Sequence, residues 1–154
     1  MLVPLLTVLL AMSAMELVAT LAHKYVMHGF GWGWHRSHHA PRAGRFEKND
    51  LYALVFAAIS MGWFVGGGGP SSILWWIGVG TALYGLVYAL LHDGLVHRRL
   101  PVGPVPRSAY LKRLVQAHRL HHATRGREGA VSFGFLYAPP VPKLVARLRA
   151  SKPG

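Results

Sequence analysis

The sequence contains no cysteine and few charged residues. The lack of cysteine excludes disulfide bonds, cysteine-ligated iron–sulfur clusters and a thiolate-ligated haem, so any metal must be held by nitrogen or oxygen. Charged residues make up 14% of the 154 residues and hydrophobic residues 52%, whereas about a quarter of the residues in an ordinary soluble domain are charged. The length corresponds to one domain, and the composition predicts a single membrane domain over residues 1–154.

Acidic residues are also scarce, since five Asp and Glu stand against 17 Lys and Arg and give a net charge of +12. High basicity is typical of nucleic-acid binding, but a protein that reads nucleic acid carries its basic residues on a polar, soluble domain. Here the basic residues lie between long apolar runs. We therefore predict no nucleic-acid partner.

Three apolar segments are candidates to cross a membrane, at about residues 2–22, 51–65 and 73–91. A spanning helix needs about 20 apolar residues, so the first and third are full length and the second is short. The GGGGPSS sequence between the last two predicts a hairpin turn. No basic region precedes the first segment, which favours an uncleaved span over a signal peptide. We predict an all-α integral membrane protein in which Asn49 and Asp50 cap the second of three transmembrane helices.

The basic residues lie only between Lys24 and Lys48 and from Arg98 onward. By the positive-inside rule both regions face the cytoplasm, which three crossings satisfy. A fourth crossing through the apolar stretch 129–141 is the alternative, but it would place the basic residues of the C-terminal region outside. We expect that stretch to be re-entrant or interfacial, and the protein to lie in a membrane of the bacterial inner-membrane type.

All ten histidines follow or flank the predicted cytoplasmic ends of the spans. They form the pattern H-x4-H then H-x2-HH over residues 23–39, and again over 92–122. Within it, HRSHHAPR at 35–42 returns as HRLHHATR at 118–125, identical at six of eight positions. The chain therefore carries two half-sites of a cytoplasmic metal centre. The predicted metal ligands are His23, His28, His35, His38, His39, His92, His97, His118, His121 and His122.

The spacing within each half-site shows how the imidazoles could meet. In H-x2-HH, residues three and four apart lie on one face of a helix. In H-x4-H, five residues correspond to about 140° on a regular α-helix, which directs the two rings apart. Either the helix ends or kinks between the two histidines, for which Gly29 and Gly94 provide the flexibility, or the two histidines serve different metals.

The number of histidines indicates two metal ions. Zinc takes four ligands in structural sites and three with a water in catalytic sites, so ten imidazoles are too many for one ion. We predict two ions with about five nitrogen ligands each. Zinc, copper, nickel and iron all bind imidazole, so the composition leaves the metal open.

Residues 108–122 are predicted to form an interfacial amphipathic helix on the inner leaflet. Its apolar stripe of Leu111, Leu114 and Val115 continues into the last three histidines, while basic residues project elsewhere. Such a helix lies in the plane of the membrane interface, and its basic flank would meet anionic lipid headgroups.

Two acidic residues are candidates to support the metal ligands. Glu16 lies in the first span, seven residues before His23, and Asp93 follows His92. An ionisable residue inside a span is a functional candidate, here as the acceptor for a ring N–H of a ligand histidine. The alternative for both is a role outside the site. Tyr84 and Tyr88 lead toward His92 at helical spacing and either line a substrate channel or pack against neighbouring helices.

The four histidine boxes resemble those of the membrane non-haem di-iron hydroxylases and desaturases, the fatty acid hydroxylase superfamily. More narrowly, MHGFGWGWHRSHHAPRAGRFEKNDLYA at 27–53, HDGLVHRR at 92–99 and AHRLHHA at 117–123 resemble the beta-carotene hydroxylases. The resemblance covers residues 23–123, includes all ten histidines, and is most specific in HDGLVHRR.

This resemblance implies an oxygen-dependent monooxygenase that hydroxylates carbon 3 of each beta-ionone ring of beta-carotene, giving zeaxanthin by way of cryptoxanthin. It implies two iron ions on the ten histidines, dioxygen as co-substrate, and a carotenoid that reaches the site from the bilayer. It also implies an external electron donor, a ferredoxin with its reductase, which the basic loops would suit if that donor is acidic. Zinc can occupy the same nitrogens in purified protein.

Two other functions are alternatives at this point. One is another lipid oxygenase of the superfamily: a ketolase, or a fatty acid or sterol hydroxylase. The other is a non-enzymatic membrane protein that binds metal, although such a carrier should have ligands along the membrane path, and the spans contain no histidine deep inside.

Overall fold

The computed structural model describes residues 2–40, 44, 46–101 and 107–151. These residues form helices and connecting loops, with no strand among them, which confirms the all-α prediction. The limits of the predicted domain, residues 1 and 154, lie outside the described ranges. The α-helices are α1 (Leu2–Leu21), α2 (Trp32–His39), α3 (Asp50–Gly67), α4 (Ile73–Tyr88), α5 (Ala109–His121) and α6 (Val141–Ala150).

Two of the helices change geometry where they leave the apolar region. α1 continues into a π-helical segment, Ala22–Phe30, and α4 continues into a second, Ala89–Val96. With these extensions, the three helices in the described part of the chain that are long and apolar enough to cross a membrane are Leu2–Phe30, Asp50–Gly67 and Ile73–Val96. The three predicted spans are confirmed, and the first and third are longer than predicted.

The stretch 129–141 does not form a fourth span. Its residues have no regular secondary structure before α6 begins at Val141. Irregular backbone cannot cross the hydrocarbon of a bilayer exposed to lipid, because its peptide groups would lack hydrogen-bond partners. The stretch instead lies against the histidine-rich end of the spans.

α4 is the central span and packs against both α1 and α3. The contact with α1 is close because residue 80 is glycine: a Cβ there would lie 2.6 Å from the Cβ of Ala11 and 2.8 Å from the carbonyl oxygen of Val8. On the other side of α4, the Ser60 hydroxyl of α3 donates to the Gly78 carbonyl at 3.0 Å. These contacts fix both outer spans relative to α4.

α5 and α6 form a small second layer at the histidine end. α5 begins after Ser108, whose hydroxyl accepts a hydrogen bond from the Leu111 N–H at 3.1 Å, so the predicted helix 108–122 is present. Its apolar face is buried against α6 and the loop between them. The shared core comprises Leu114, Ala117, Val131, Ala138, Leu144 and Leu148. α6 is not among the elements predicted from the sequence.

Candidate metal centre

Eight histidines form two groups beside the π-helical segments. Within each group, one ring nitrogen of every histidine lies within 4.8 Å of the corresponding nitrogens of the others. Cluster 1 consists of His23, His28, His35 and His121, and cluster 2 consists of His38, His92, His97 and His118. The last two histidines extend these groups: His39 Nε2 is 3.2 Å from His35 Nε2, and His122 Nε2 is 2.9 Å from His118 Nε2. The structure thus brings all ten predicted ligands together.

The two sequence repeats do not each build their own cluster. The first repeat supplies three histidines of cluster 1 but gives its His38 to cluster 2, and the second repeat supplies three of cluster 2 but gives its His121 to cluster 1. His38 and His121 hold the same position in their H-x2-HH boxes. Neither half-site is complete without the other.

The π-helical segments account for the H-x4-H spacing. A π-helix joins residue i to residue i+5, so residues five apart lie one turn apart on the same face. The His97 N–H donates to the His92 carbonyl at 2.9 Å, and the two ring centroids are 4.5 Å apart. His23 and His28 have a centroid separation of 5.4 Å. Each pair therefore serves one cluster, and the kink at Gly29 follows the first pair instead of separating it.

The rings of cluster 1 are held mainly by one loop. The Nδ1 atoms of its histidines and of His39 lie at hydrogen-bond distance from oxygen acceptors, four of which are backbone carbonyls of the loop 124–133. The pairs are His23 with Phe133 O at 2.9 Å, His28 with Arg127 O at 2.8 Å, His39 with Thr124 O at 2.9 Å, His121 with Val131 O at 3.0 Å, and His35 with Asn49 Oδ1 at 2.7 Å. Such acceptors fix the orientation and tautomer of metal-binding histidines.

Two rings of cluster 2 are held by carboxylates. His38 Nδ1 is 2.8 Å from Glu47 Oε1, and His92 Nδ1 is 2.9 Å from Asp93 Oδ1, so the predicted contact between Asp93 and a clustered histidine is present. The Arg99 guanidinium lies between these carboxylates, 3.4 Å from each, and donates to both oxygens of Asp50 at 2.7 and 2.6 Å. Cluster 2 is therefore surrounded by more negative charge than cluster 1.

Glu16 has a different set of partners from the predicted one. Its Oε1 accepts the backbone N–H groups of Phe135, Leu136 and Tyr137 at 2.9, 3.0 and 3.1 Å, and its Oε2 accepts the Tyr84 hydroxyl at 2.8 Å. In the described part of the chain these four donors are the hydrogen-bond partners of Glu16, in place of the histidine ring that was predicted. Glu16 instead anchors the chain just beyond Phe133, whose carbonyl faces His23.

Asn49 also departs from its predicted role. It was expected to cap α3, but its side chain makes no capping hydrogen bond. Its Oδ1 instead faces His35 Nδ1, and the residue is buried. No role at the site was predicted for Asn49, Glu47 or Arg99, although all three lie within the stretches that carry the family resemblance.

The clusters are arranged to receive cations. Where Nδ1 donates its hydrogen to an oxygen, the neutral ring has an unprotonated Nε2, and these Nε2 atoms converge. Burial lowers the pKa of His35 to about 3 and that of His39 to about 4, so both are neutral at physiological pH. A divalent ion with bonds of about 2.1 Å to imidazole would place ligand nitrogens at right angles about 3 Å apart, which matches the distance of 3.0 Å between His38 Nε2 and His92 Nε2.

Two openings reach the centre from different sides. An apolar cavity of about 450 Å³ lies among the spans and reaches Asn49, Asp93 and Arg99; Tyr84 and Tyr88 line it, as the channel hypothesis predicted. A polar cleft of about 580 Å³ lies on the other side. It is lined by four histidines, His38, His39, His97 and His122, and by Glu47, Arg99, Arg119 and Arg125.

Comparison with known proteins identifies relatives over most of the chain. Residues 8–139 match the family described as Fatty acid hydroxylase. The Beta-carotene hydroxylase of Pantoea ananas is 60% identical over 144 residues, covering 94% of this chain and 82% of that protein. The Beta-carotene hydroxylase of Pseudescherichia vulneris is 56% identical over 149 residues, covering 97% and 85%.

A more distant relative is a plastid protein. The Beta-carotene 3-hydroxylase, chloroplastic, of Haematococcus lacustris is 42% identical over 131 residues, which cover 81% of this chain and 40% of that protein. No solved structure gives a significant match to this chain.

Proposed function

This chain belongs to the fatty acid hydroxylase family, and we propose that it hydroxylates carbon 3 of the beta-ionone rings of beta-carotene, giving zeaxanthin by way of cryptoxanthin. Four relatives named Beta-carotene hydroxylase are 54–60% identical to the chain. The structural observation that supports the proposal best is the pair of adjacent histidine clusters, which can hold two metal ions beside an apolar cavity among the spans.

We propose that the ten histidines hold two iron ions, with zinc as a substitute in purified protein. Bound iron would supply the activation of dioxygen that insertion of oxygen into an unactivated C–H bond requires. The neutral, converging Nε2 atoms suit this role, since a metal ligand must carry no proton. The cluster assignments predict that His39 joins cluster 1 and His122 joins cluster 2.

The surrounding residues keep the ligands in place. Carbonyls of the loop 124–133 fix the tautomers in cluster 1, and Glu47 and Asp93 do so in cluster 2. The Arg99 guanidinium lies 3.4 Å from a carboxylate oxygen of each of these two residues. Loss of such supporting groups typically lowers metal affinity or activity by about 10- to 100-fold.

The two openings separate the reactants. The apolar cavity would receive the carotenoid from the bilayer, whereas the polar cleft would receive protons and electrons from the cytoplasmic side. Exposed Arg119 and Arg125 line that cleft, and a positive rim favours an acidic partner. We propose a ferredoxin, kept reduced by its reductase, as the electron donor, and a membrane of the bacterial inner-membrane type with the clusters on its cytoplasmic side.

The test is expression in an aerobic bacterial host that accumulates beta-carotene and supplies a ferredoxin with its reductase, followed by chromatography and mass spectrometry of the pigments. We expect cryptoxanthin and zeaxanthin from the wild-type chain and neither from His23→Ala. Unchanged beta-carotene, with the protein present in the membrane fraction, would refute the proposal. Products with keto groups would identify a ketolase instead.

A further inference from the structure

The apolar cavity is a slot between α1 and α3 that lies on the surface of α4. Both outer spans pack against α4, and the described residues show no comparable packing between α1 and α3. Small residues from all three spans line the slot and give it its width: Ala19, Ala53, Ala57, Ala82, Gly85 and Ala89. Because α1 and α3 are separated, a ligand can enter sideways from the lipid.

Three polar side chains along the slot are already paired within the protein. The Ser60 hydroxyl donates to the Gly78 carbonyl at 3.0 Å, the Thr81 hydroxyl to the Ile77 carbonyl at 2.9 Å, and the Tyr84 hydroxyl to Glu16 at 2.8 Å. A ligand lying along these residues would find few free polar partners. Burying an unpaired polar group costs free energy, so the slot selects a hydrocarbon.

The slot is long and runs parallel to the helix axes. Its α3 lining extends from Asp50 to Phe64, and fourteen residues at 1.5 Å each amount to about 21 Å. The hydrocarbon core of a bilayer is about 30 Å thick, so the slot covers about two thirds of that depth. This shape suits a straight, narrow molecule that stands along the membrane normal.

Two aromatic rings close the end of the slot next to the metal centre. Tyr88 stacks on His92 of cluster 2, with centroids 4.6 Å apart and an angle of 18°. Phe135 stacks on His23 of cluster 1, with centroids 5.3 Å apart and an angle of 11°. Tyr88 and Phe135 contact each other edge to face at 4.7 Å. A ligand that reaches this end therefore rests on two aromatic rings, each of which stacks on a histidine of a different cluster.

We propose that the slot binds the carotenoid lengthwise, with the reacting ring against Tyr88 and Phe135 and the polyene chain between α1, α3 and α4. The inference rests on the proposed function and adds the site that recognises the substrate. Its specificity depends on the small residues of the slot, because larger side chains there would fill the space that the polyene needs.

Ala57 and Ala58 provide a matched test of the slot. Both alanines are exposed residues of α3, but Ala57 lines the slot, seven residues and about 10 Å beyond Asp50, whereas Ala58 is not among the lining residues. Ala57→Phe would block the slot partway along, and Ala58→Phe would add the same side chain to the outer surface of the helix. Equal metal content in both variants and the wild type would establish that the centre is intact.

The first readout is the amount of beta-carotene retained per purified protein, measured by absorbance after detergent exchange. We expect Ala57→Phe to retain at least about tenfold less pigment than the wild type, which corresponds to about 1.4 kcal/mol, and Ala58→Phe to match the wild type. Equal pigment in the two variants would overturn the proposal. Displacement of the pigment by a fatty acid or a sterol at equimolar concentration would also overturn it, because the slot would then not select a carotenoid.

The second readout is hydroxylation of beta-carotene by the same variants, and it separates this proposal from the proposed function. A wild-type chain that retains beta-carotene but leaves it unchanged would contradict the proposed function and support the slot as a carotenoid site. A wild-type chain that hydroxylates beta-carotene, with Ala57→Phe as active as Ala58→Phe, would support the function and overturn the slot.

Discussion

His38 and His121 are equivalent residues of the two sequence repeats, and each lies in the cluster that the other repeat mainly builds. This exchange means that a metal site forms only when α2 and α5 have come together. The repeat in the sequence is therefore not a duplication of one self-sufficient site. Two interlocked sites require both copies.

The exchange predicts which double variants lose one metal ion and which lose two. His23→Ala with His121→Ala removes ligands from cluster 1 only, so we expect about one ion per chain to remain. His118→Ala with His121→Ala removes ligands from both clusters, so we expect almost none. The measurement is metal content by inductively coupled plasma mass spectrometry. Gln116→Ala, at an exposed position of α5, is the control and should match the wild type.

The opposite pattern of metal loss in the two double variants would contradict the exchange of His38 and His121. If His118→Ala with His121→Ala keeps one ion while His23→Ala with His121→Ala loses both, each repeat builds its own site. The exchanged arrangement would then be wrong.

Glu16→Ala should lower both stability and metal content. The change removes the acceptor of three backbone N–H groups and of the Tyr84 hydroxyl, and unpaired donors cost about 2 kcal/mol. For a chain of this size we expect the melting temperature to fall by about 4 to 8 °C. Differential scanning fluorimetry in detergent measures it. Glu128→Ala, which removes an exposed carboxylate, should have no effect, and a wild-type melting temperature for Glu16→Ala would contradict the anchoring role.

Asp93→Asn should weaken metal binding at cluster 2 without removing a ligand. The amide keeps an oxygen that can face His92 but loses the negative charge beside Arg99. We expect affinity for one of the two ions to fall by about 10- to 100-fold, measured by competition with a chelator. Loss of both ions at the same chelator concentration would argue against a role confined to cluster 2.

The metal-free protein should lose stability as the pH falls below about 6.5. Burial lowers the pKa of His35 to about 3 and that of His39 to about 4, whereas both titrate near 6.5 in the unfolded chain. Between these values the unfolded chain binds more protons, so the free energy of unfolding decreases as the pH decreases. Melting temperatures of chelator-treated protein at pH 8, 6 and 5 would measure this. A constant value over that range would show that these histidines are not buried in the neutral form.

The fold could be predicted largely from composition and charge. The long apolar runs and the positions of the basic residues were sufficient to predict three spans. Ser108, whose hydroxyl accepts a hydrogen bond from the first turn, marks the start of α5. The two π-helical segments could not be predicted, because the regular α-helical period was assumed for H-x4-H. The spacing itself was the available signal, since the hydrogen bonds of a π-helix join residues five apart in sequence.

The histidines of the site could be predicted, but their supporting contacts could not. Repetition and spacing in the sequence identified the ten histidines, whereas three of the four acceptors in cluster 1 are backbone carbonyls, which no side-chain pattern reveals. Asn49 was assigned to helix capping because it precedes an apolar run, and only the folded chain shows that it faces His35. The charge of Glu16 in a span indicated an unusual residue, but its three backbone partners lie about 120 residues away in sequence.

Mass spectrometry of carotenoids formed under ¹⁸O₂ by cells that express the chain would show whether the paired histidine clusters support hydroxylation by dioxygen. We expect cryptoxanthin and zeaxanthin whose hydroxyl oxygens carry the label, and no such products from His23→Ala. Hydroxylated carotenoid without label, or equal product from His23→Ala, would contradict this expectation.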